Sequence, residues 1–151
     1  MKILFVCLGN ICRSPLAEAI AKDLCAKKNI NITIDSAGTG NWHIGEPPCE
    51  NSIKIAKQKG IDISNMRARQ IVVHDFKNFD IIVGLDSSNI ENLKRMGCVN
   101  PMLLGDFGFD GKDVPDPYFF SGFEGFEKVY EMIEKCVQNL LDNINTNNYQ
   151  Q

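Results

Sequence analysis

The chain has 151 residues, 44% hydrophobic and 23% charged, with a formal net charge of −3. This length suits one domain with its own core, so we expect a single domain over residues 1–151. The acidic balance excludes a broad basic surface for nucleic acid, and no apolar run approaches the roughly 20 residues of a membrane-spanning helix. Gly9, Asn10 and Arg13 follow the first apolar run where a signal peptide would have its cleavage site, so we expect a cytoplasmic protein.

Strand-like and helix-like patterns then alternate along the chain. Residues 3–6 form a continuous apolar run typical of a buried strand, and a helix is predicted from Ser14, with Pro15 in its first turn. The further predicted strands lie at residues 32–36, 80–83 and 102–104, with a weaker extended segment at 71–73. The further predicted helices span residues 50–59, 87–96 and 126–140, and the polar tail from residue 143 is expected to fray.

This alternation predicts an α/β fold in which helices cover both faces of a parallel sheet. The connection over residues 105–122 is long and rich in Gly, Pro and Asp. Long loops in compact domains are usually functional or disordered, so we expect functional residues there.

The cysteines occupy six irregularly spaced positions, 7, 12, 25, 49, 98 and 136. Irregular spacing in a chain that can build its own core favours free thiols over a disulfide framework. Cys7 and Cys12 have no second Cys/His pair at metal-ligand spacing, so no metal site is expected.

The loop after the first strand has the properties of an anion site. Cys7 ends the strand, and the chain then enters a helix, whose free N–H groups attract anions. Gly9 permits unusual backbone angles, Asn10 tolerates left-handed geometry, and the guanidinium of Arg13 matches a phosphate with two hydrogen bonds. We expect Cys7 to be a thiolate, because this positive environment stabilises the sulfur anion. The alternative, a structural cysteine with a nearby arginine cap, does not account for the strand–loop–helix context.

Two motifs of the sequence match those of a known family. The segment CLGNICRS, residues 7–14, has the pattern Cys, five residues, Arg and then Ser or Thr, and Asp116-Pro117-Tyr118 lies in the late loop. With Ser36 in the segment DSAG and with Trp42, they resemble the low-molecular-weight protein tyrosine phosphatases over residues 1–142. The resemblance implies a three-layer sandwich with a four-stranded, parallel, twisted sheet, and a mechanism without metal or cofactor.

The resemblance also implies roles for individual residues. Cys7 is the expected nucleophile, Arg13 the phosphate clamp and Asp116 the general acid and base, while Ser36 supports the loop. The expected substrate-binding residues are Leu8, Gly9, Asn10, Ile11, Cys12, Ser14, Trp42 and Tyr118. The implied reaction is hydrolysis of phosphotyrosine in proteins and of small aryl phosphates through a phosphocysteine. Phosphate and vanadate are the expected inhibitors, and we expect a monomer.

Some residues depart from the family pattern or have an open role. Met66 stands where the family often has a histidine, so support of the loop serine by that histidine is not expected here. Phe119 replaces a second tyrosine, which leaves Tyr118 as the candidate for phosphorylation in that loop. The resemblance implies that Cys12 traps an oxidised Cys7 as a disulfide, which prevents irreversible oxidation.

Some candidate side chains also have structural interpretations. Asp113 is the weaker candidate for the acid, and an Asp-Pro turn is often only a surface feature. Trp42 fits either an aromatic wall of the site or a partly buried core position. His43 and His74 lack a motif, so we expect surface or structural roles for them.

Three other functions remain open. An arsenate reductase of the same fold needs further cysteines to relay a disulfide, and Cys98 and Cys136 lack suitable spacing. A related protein-arginine phosphatase typically has threonine at the position of Ile11, whose apolar side chain suits an aromatic ring. A phosphate-binding module without catalysis does not need an acid such as Asp116.

Overall fold

The computed structural model describes residues 1–120 and 122–149, the last five of these through their backbone alone. Within these ranges, the strands are β1 (Lys2–Cys7), β2 (Thr33–Gly38), β3 (Ile81–Gly84) and β4 (Met102–Leu103). They form one parallel sheet in the order β2-β1-β3-β4. The predicted four-stranded parallel sheet is therefore confirmed.

Helices alternate with the strands along the chain. They are α1 (Arg13–Lys28), α2 (Glu50–Gln58), α3 (Asp75–Asn78), α4 (Ser87–Arg95) and α5 (Glu124–Tyr149). Two 3₁₀ turns, Leu104–Asp106 and Pro117–Phe119, lie in the long connection before α5. No helix among the described residues is long and apolar enough to cross a membrane.

Both faces of the sheet are covered because β1 alternates its side chains between two apolar clusters. Ile3 and Phe5 belong to the larger cluster, which includes apolar residues of α1, α2 and α5. Leu4 and Val6 belong to the smaller cluster, together with Leu93 of α4. The result is the α/β sandwich that the alternating pattern predicted.

Two sequence-based expectations differ from the structure. The segment at 71–73 is not a strand: an isolated bridge pairs Gln70 with Gly38, and Val72 donates its N–H to Asp75 Oδ2 at 2.8 Å, in the turn that begins α3. The short helix α3 was not predicted. Helix α5 continues to Tyr149, beyond residue 143 where fraying was expected, and the burial of Ile144 extends its apolar stripe into this tail.

The carboxyl ends of β1 and β2 meet at the cysteine loop. Thr39 and Gly40 donate their N–H groups to the carbonyl oxygens of Cys7 and Leu8 at 3.0 and 2.9 Å. A Cβ at Gly38 would lie 2.8 Å from the Leu8 carbonyl oxygen, so glycine allows the close approach of β2 to the loop. The fold thus holds this loop from behind.

Candidate active site

The thiol of Cys7 is buried at the carboxyl end of β1, with 3% of the residue exposed. The backbone N–H of Asn10 donates to Cys7 Sγ at 3.2 Å, and Ser14 Oγ lies 3.0 Å from the same sulfur. Asn10 has a φ of 58°, the left-handed geometry expected of it. The loop thus curls around the sulfur and directs donors at it.

The side-chain amide of Asn10 is held in one orientation. The backbone N–H of Arg69 donates to Asn10 Oδ1 at 3.0 Å, which identifies the opposite atom as the nitrogen. This nitrogen donates to Ser14 Oγ at 2.8 Å and to Ser36 Oγ at 2.9 Å. One amide therefore connects two hydroxyl groups behind the cysteine loop.

A buried carboxylate accepts the last hydrogen bond of this network. Ser36 Oγ donates to Glu18 Oε1 at 2.6 Å, and Glu18 is 5% exposed. Because Ser14 Oγ already accepts from Asn10, its hydroxyl proton remains available to Cys7 Sγ. The sulfur thus has a hydroxyl donor in addition to the backbone N–H of Asn10. The sequence analysis missed Glu18, because its contact with Ser36 joins two segments 18 positions apart and leaves no local pattern.

Arg13 is the first residue of α1, and two other elements hold its guanidinium. Its Nη1 donates to Asp86 Oδ2 at 2.7 Å and to the carbonyl oxygen of Val114 at 2.8 Å. Asp86 is itself fixed as the N-cap of α4, where its Oδ1 accepts from the N–H of Asn89 at 2.8 Å. No local pattern predicted the pairing of Arg13 with Asp86, because 73 positions separate the two residues.

A cavity of about 190 Å³ opens above Cys7. Its lining consists of Cys7, Leu8, Gly9, Ile11, Cys12, Arg13, Trp42, His43, Asp116 and Tyr118. The predicted residues Asn10, Ser14 and Ser36 lie behind this lining in the hydrogen-bond network described above. The structure thus brings the residues of the two sequence motifs to one place.

His43 and Asp113 differ in their position relative to the cavity. His43 lies in the cavity wall and pairs with Glu46, so it is closer to the chemistry than the absence of a motif indicated. Asp113, the weaker candidate for the acid, instead accepts from the N–H and the hydroxyl of Ser87 at 2.8 and 2.7 Å. It is absent from the cavity lining, which favours Asp116.

The segment that carries Asp116 is anchored by a short turn. Asp116 Oδ1 accepts from the N–H of Tyr118 at 3.0 Å and caps the 3₁₀ turn Pro117–Phe119. Pro117 is buried, and the ring of Tyr118 meets the ring of Phe126 of α5 edge-on, with centroids 5.3 Å apart. These contacts place a carboxylate and an aromatic ring at one side of the cavity.

Trp42 lies at the mouth of the cavity with 67% of the residue exposed, so partial burial in the core is not its role. Its ring packs directly over Gly40, where an added Cβ would come within 1.9 Å of Trp42 Cζ3.

Met66, which stands where the family often has a histidine, packs against the larger apolar cluster. Ser14 is supported by the side chain of Asn10 instead of by a histidine.

Cys12 has a sulfur neighbour that the sequence did not reveal. Its Sγ donates to Cys49 Sγ at 2.7 Å, whereas the expected redox partner was Cys7. The hydrogen bond from Cys12 lowers the pKa of Cys49 to about 6, with help from Ser52, although burial opposes the shift. The same contact, together with burial, raises the pKa of Cys12 well above its ordinary value. All six cysteines are free thiols.

Fold and site together define an α/β phosphatase domain with its anion loop between β1 and α1. The profile of the family described as low molecular weight phosphotyrosine protein phosphatase matches residues 2–150. The chain belongs to this family and is therefore a hydrolase that acts on phosphoric monoesters.

Individual relatives are similar over nearly the whole chain. The low molecular weight protein-tyrosine-phosphatase YfkJ of Bacillus subtilis is 45% identical, over 95% of this chain and 96% of its own. Its crystal structure superposes with a TM-score of 0.89 at 42% identity, covering 97% of this chain and 96% of that one. The structure of DARP, a drosophila arginine phosphatase, gives a TM-score of 0.88 at 36% identity, covering 95% and 98%.

Proposed function

We propose that the protein hydrolyses phosphotyrosine in proteins, and small aryl phosphates, through a phosphocysteine intermediate. The observation that carries this proposal is that Cys7, Arg13 and Asp116 line one cavity of about 190 Å³. These side chains supply a nucleophile, a fixed positive charge and a proton donor. Transfer of the phosphoryl group from a phosphate monoester requires these three groups.

In the first step, Cys7 Sγ attacks phosphorus in line with the departing oxygen. The loop N–H groups and the guanidinium of Arg13 hold the three equatorial oxygens of the phosphoryl group. Because Asp86 and Val114 engage Nη1, the remaining guanidinium nitrogens serve as the clamp. Phosphate and vanadate fit the same cradle and are proposed as inhibitors.

Asp116 acts in both steps. As a carboxylic acid it gives its proton to the leaving phenolate, and as a carboxylate it then activates the water that attacks phosphocysteine. The hydroxyl of Ser14, 3.0 Å from Cys7 Sγ, stabilises the sulfur as it leaves in the second step. Because the oriented Asn10 amide donates to Ser14 Oγ, the Ser14 proton is left for this donation.

The substrate class follows from the leaving group and the cavity walls. A tyrosyl leaving group has a pKa of about 10, well below that of an alkyl alcohol, so aryl phosphates react more readily. Trp42 and Tyr118 provide aromatic surfaces beside the cavity, and Leu8 and Ile11 add apolar contacts at its mouth.

Substitution of the proposed groups tests the mechanism with aryl phosphates of graded phenol pKa. Cys7→Ser should abolish hydrolysis, whereas Cys98→Ser, which changes a buried thiol away from the cavity, should leave it intact. Asp116→Ala should slow poor leaving groups about 100-fold or more and acidic phenols much less. Hydrolysis by the Cys7→Ser protein, or an Asp116→Ala effect that does not depend on the leaving group, would contradict the proposal.

Arsenate reduction is the second candidate, and the Cys12–Cys49 contact of 2.7 Å favours it, because a relay needs a thiol beyond Cys7 and Cys12. The presence of Asp116 in the cavity favours hydrolysis. Arsenate-dependent oxidation of thioredoxin, measured beside hydrolysis of p-nitrophenyl phosphate, decides between them. Faster turnover of arsenate would replace the proposed function.

The arginine phosphatase named among the similar structures raises a third candidate. Ile11 lines the cavity with an apolar side chain, which gives a guanidinium no hydrogen-bond partner. We therefore expect phosphotyrosine peptides to be hydrolysed faster than phosphoarginine peptides. Ile11→Thr should narrow the difference, and a native preference for phosphoarginine would overturn the assignment.

We also propose that the chain works as one domain and as a monomer in the cytoplasm. The free state of its six cysteines suits a reducing compartment. Gel filtration with light scattering tests the monomer, and a pull-down with the Cys7→Ser protein followed by phosphoproteomics identifies bound phosphoproteins.

A further inference from the structure

The proposed hydrolysis does not use Cys49, yet this thiol contacts Cys12, which lines the cavity. Cys49 Sγ is 2.7 Å from Cys12 Sγ, and Cys12 and Cys7 line the same cavity. A disulfide bond measures about 2.05 Å, so Cys12 and Cys49 need only a small approach to become linked. The three thiols thus form a series from the cavity to the start of α2.

The backbone holds this arrangement in place. The N–H of Cys49 donates to the carbonyl oxygen of Ile11 at 2.8 Å, which ties the start of α2 to the cysteine loop. Ser52 Oγ lies 3.1 Å from Cys49 Sγ and 3.0 Å from the carbonyl oxygen of Cys12, so it bridges the two segments. These contacts between the cysteine loop and the start of α2 therefore hold the two sulfur atoms next to each other.

The surroundings of Cys49 suit a thiolate. It is the N-cap of the nine-residue helix α2, whose free N–H groups and dipole stabilise a negative charge. Donation from Cys12 and Ser52 lowers its pKa to about 6, so the anion dominates at neutral pH. A thiolate is the form that attacks a disulfide.

We propose that Cys12 and Cys49 form a second, redox-active site that returns peroxide-oxidised Cys7 to its thiolate by moving the disulfide away from the cavity. This inference rests on the role of Cys7 as the reactive thiolate in the proposed function. It adds Cys49 as the resolving thiol and makes the Cys7–Cys12 disulfide an intermediate rather than the final oxidised state.

The reaction balances with one hydrogen peroxide as oxidant. The Cys7 thiolate takes one oxygen as the O–O bond breaks, giving sulfenic acid and hydroxide. Cys12 then attacks Cys7 Sγ, so that the S–S bond forms, the S–O bond breaks, and the departing hydroxide takes up the Cys12 proton as water. Finally, the Cys49 thiolate attacks Cys12 Sγ, and Cys7 leaves as a thiolate with the bonding electron pair. An external dithiol subsequently reduces the Cys12–Cys49 disulfide.

This exchange protects the proposed nucleophile in two ways. The sulfenic acid of Cys7 is removed before further peroxide converts it to sulfinic acid, which thiols do not reduce. The final disulfide leaves Cys7 free, so the protein remains able to hydrolyse phosphate esters while oxidised. A disulfide that stayed between Cys7 and Cys12 would instead block hydrolysis.

The test treats the purified wild-type protein with hydrogen peroxide, alkylates its free thiols and maps its disulfides by mass spectrometry. Hydrolysis of p-nitrophenyl phosphate is measured without reductant before and after treatment. We expect a Cys12–Cys49 disulfide, free Cys7 and retained activity. A Cys7–Cys12 disulfide as the major product in wild type, or equal formation of Cys7 sulfinic acid in wild type and Cys49→Ser, would overturn the proposal.

Three variants define the order of events. Cys49→Ser should accumulate the Cys7–Cys12 disulfide and lose about tenfold or more of its activity after peroxide, whereas the matched control Cys98→Ser should behave as wild type. Cys7→Ser should form the Cys12–Cys49 disulfide about tenfold more slowly, and an unchanged rate would show that the pair oxidises independently and refute the relay. If Cys49→Ser does not fold, the disulfide maps of wild type and Cys7→Ser decide whether the relay operates.

Activity before peroxide separates the two proposals. A wild-type protein that hydrolyses p-nitrophenyl phosphate but shows no Cys12–Cys49 disulfide keeps the proposed function and loses the relay. A protein without such hydrolysis loses the proposed function, whatever its disulfide map shows.

Discussion

Ser36 of β2 donates a 2.6 Å hydrogen bond to the buried carboxylate of Glu18 on α1, and this bond anchors one end of the network beneath the cysteine loop. Ser36 in turn accepts from the Asn10 amide, and the same amide donates to Ser14, whose proton is therefore available to Cys7. Glu18 is thus linked to the sulfur through three other side chains, although it does not line the cavity.

Loss of this carboxylate should slow breakdown of the phosphocysteine. Glu18→Ala leaves the buried Ser36 hydroxyl without its acceptor and weakens the hold on Asn10, which we expect to lower kcat about tenfold, or about 1.4 kcal/mol, with a smaller change in KM. Single-turnover kinetics with an aryl phosphate separates the second step from the first. The matched control is Lys22→Ala, which removes the exposed ion-pair partner of Glu18 and keeps the bond to Ser36.

The rate of a double variant tests whether Glu18 acts through Ser14. If Glu18 acts through Ser14, the double variant Glu18→Ala/Ser14→Ala should be no slower than Ser14→Ala alone. Fully additive effects would mean that Glu18 influences the rate by another route.

Asp86 should contribute to both stability and catalysis because it pairs with the largely buried guanidinium of Arg13. Asp86→Ala leaves that charge without its carboxylate, and we expect the free energy of unfolding to fall by about 2 kcal/mol or more. The value of kcat/KM should also fall, since the clamp is no longer fixed. Urea unfolding and steady-state kinetics measure the two effects. The control is Asp113→Ala, which removes an exposed hydrogen-bond partner of Ser87, the first residue of α4. It should lower the free energy of unfolding by less than half as much as Asp86→Ala.

Gly40 should control the position of the aromatic wall. A methyl group there would overlap the ring of Trp42, so Gly40→Ala must displace the indole from the cavity mouth. We expect KM for aryl phosphates to rise about three- to tenfold, with little change in inhibition by inorganic phosphate, which has no ring to contact. Trp42→Ala should give a similar KM, and the double variant should add nothing further. Equal weakening of phosphate inhibition would show instead that the loop itself was disturbed.

The alkylation rate of Cys49 should titrate near pH 6, because its pKa is lowered to about that value. Its folded pKa lies below the ordinary thiol value, so the thiolate stabilises the folded protein fully above that ordinary value. This contribution decreases as the pH falls and is lost on passing through pH 6. Quantitative mass spectrometry of iodoacetamide labelling against pH measures the titration.

Two comparisons make the Cys49 titration specific. In Cys12→Ala the main donor to Cys49 Sγ is absent, so the titration should move to higher pH. Cys25, whose pKa is raised by burial, should remain slow to react across the same range. A Cys49 titration that does not move in Cys12→Ala would contradict the assigned cause.

Contiguous features of the sequence predicted the parts of the site that are local. The strand, the loop and the start of α1 are adjacent in the chain, so the residues from Cys7 to Ser14 could be interpreted together. Glu18, Asp86 and Cys49 were missed because each acts through one contact with a distant segment, and a single side chain leaves no periodic pattern. Likewise, the apolar pair Val72 and Val73 resembled a strand although both are exposed in a turn.

The hydrogen bond from Arg13 to the carbonyl of Val114 has a mechanical consequence. Val114 stands two residues before Asp116, so the side chain proposed to bind the phosphoryl group also holds the segment that carries the proposed proton donor. Lysine at position 13 would keep a positive charge but could not reproduce the planar group that spans both duties. In the proposed mechanism, phosphoryl binding and proton transfer therefore both depend on the position of one guanidinium.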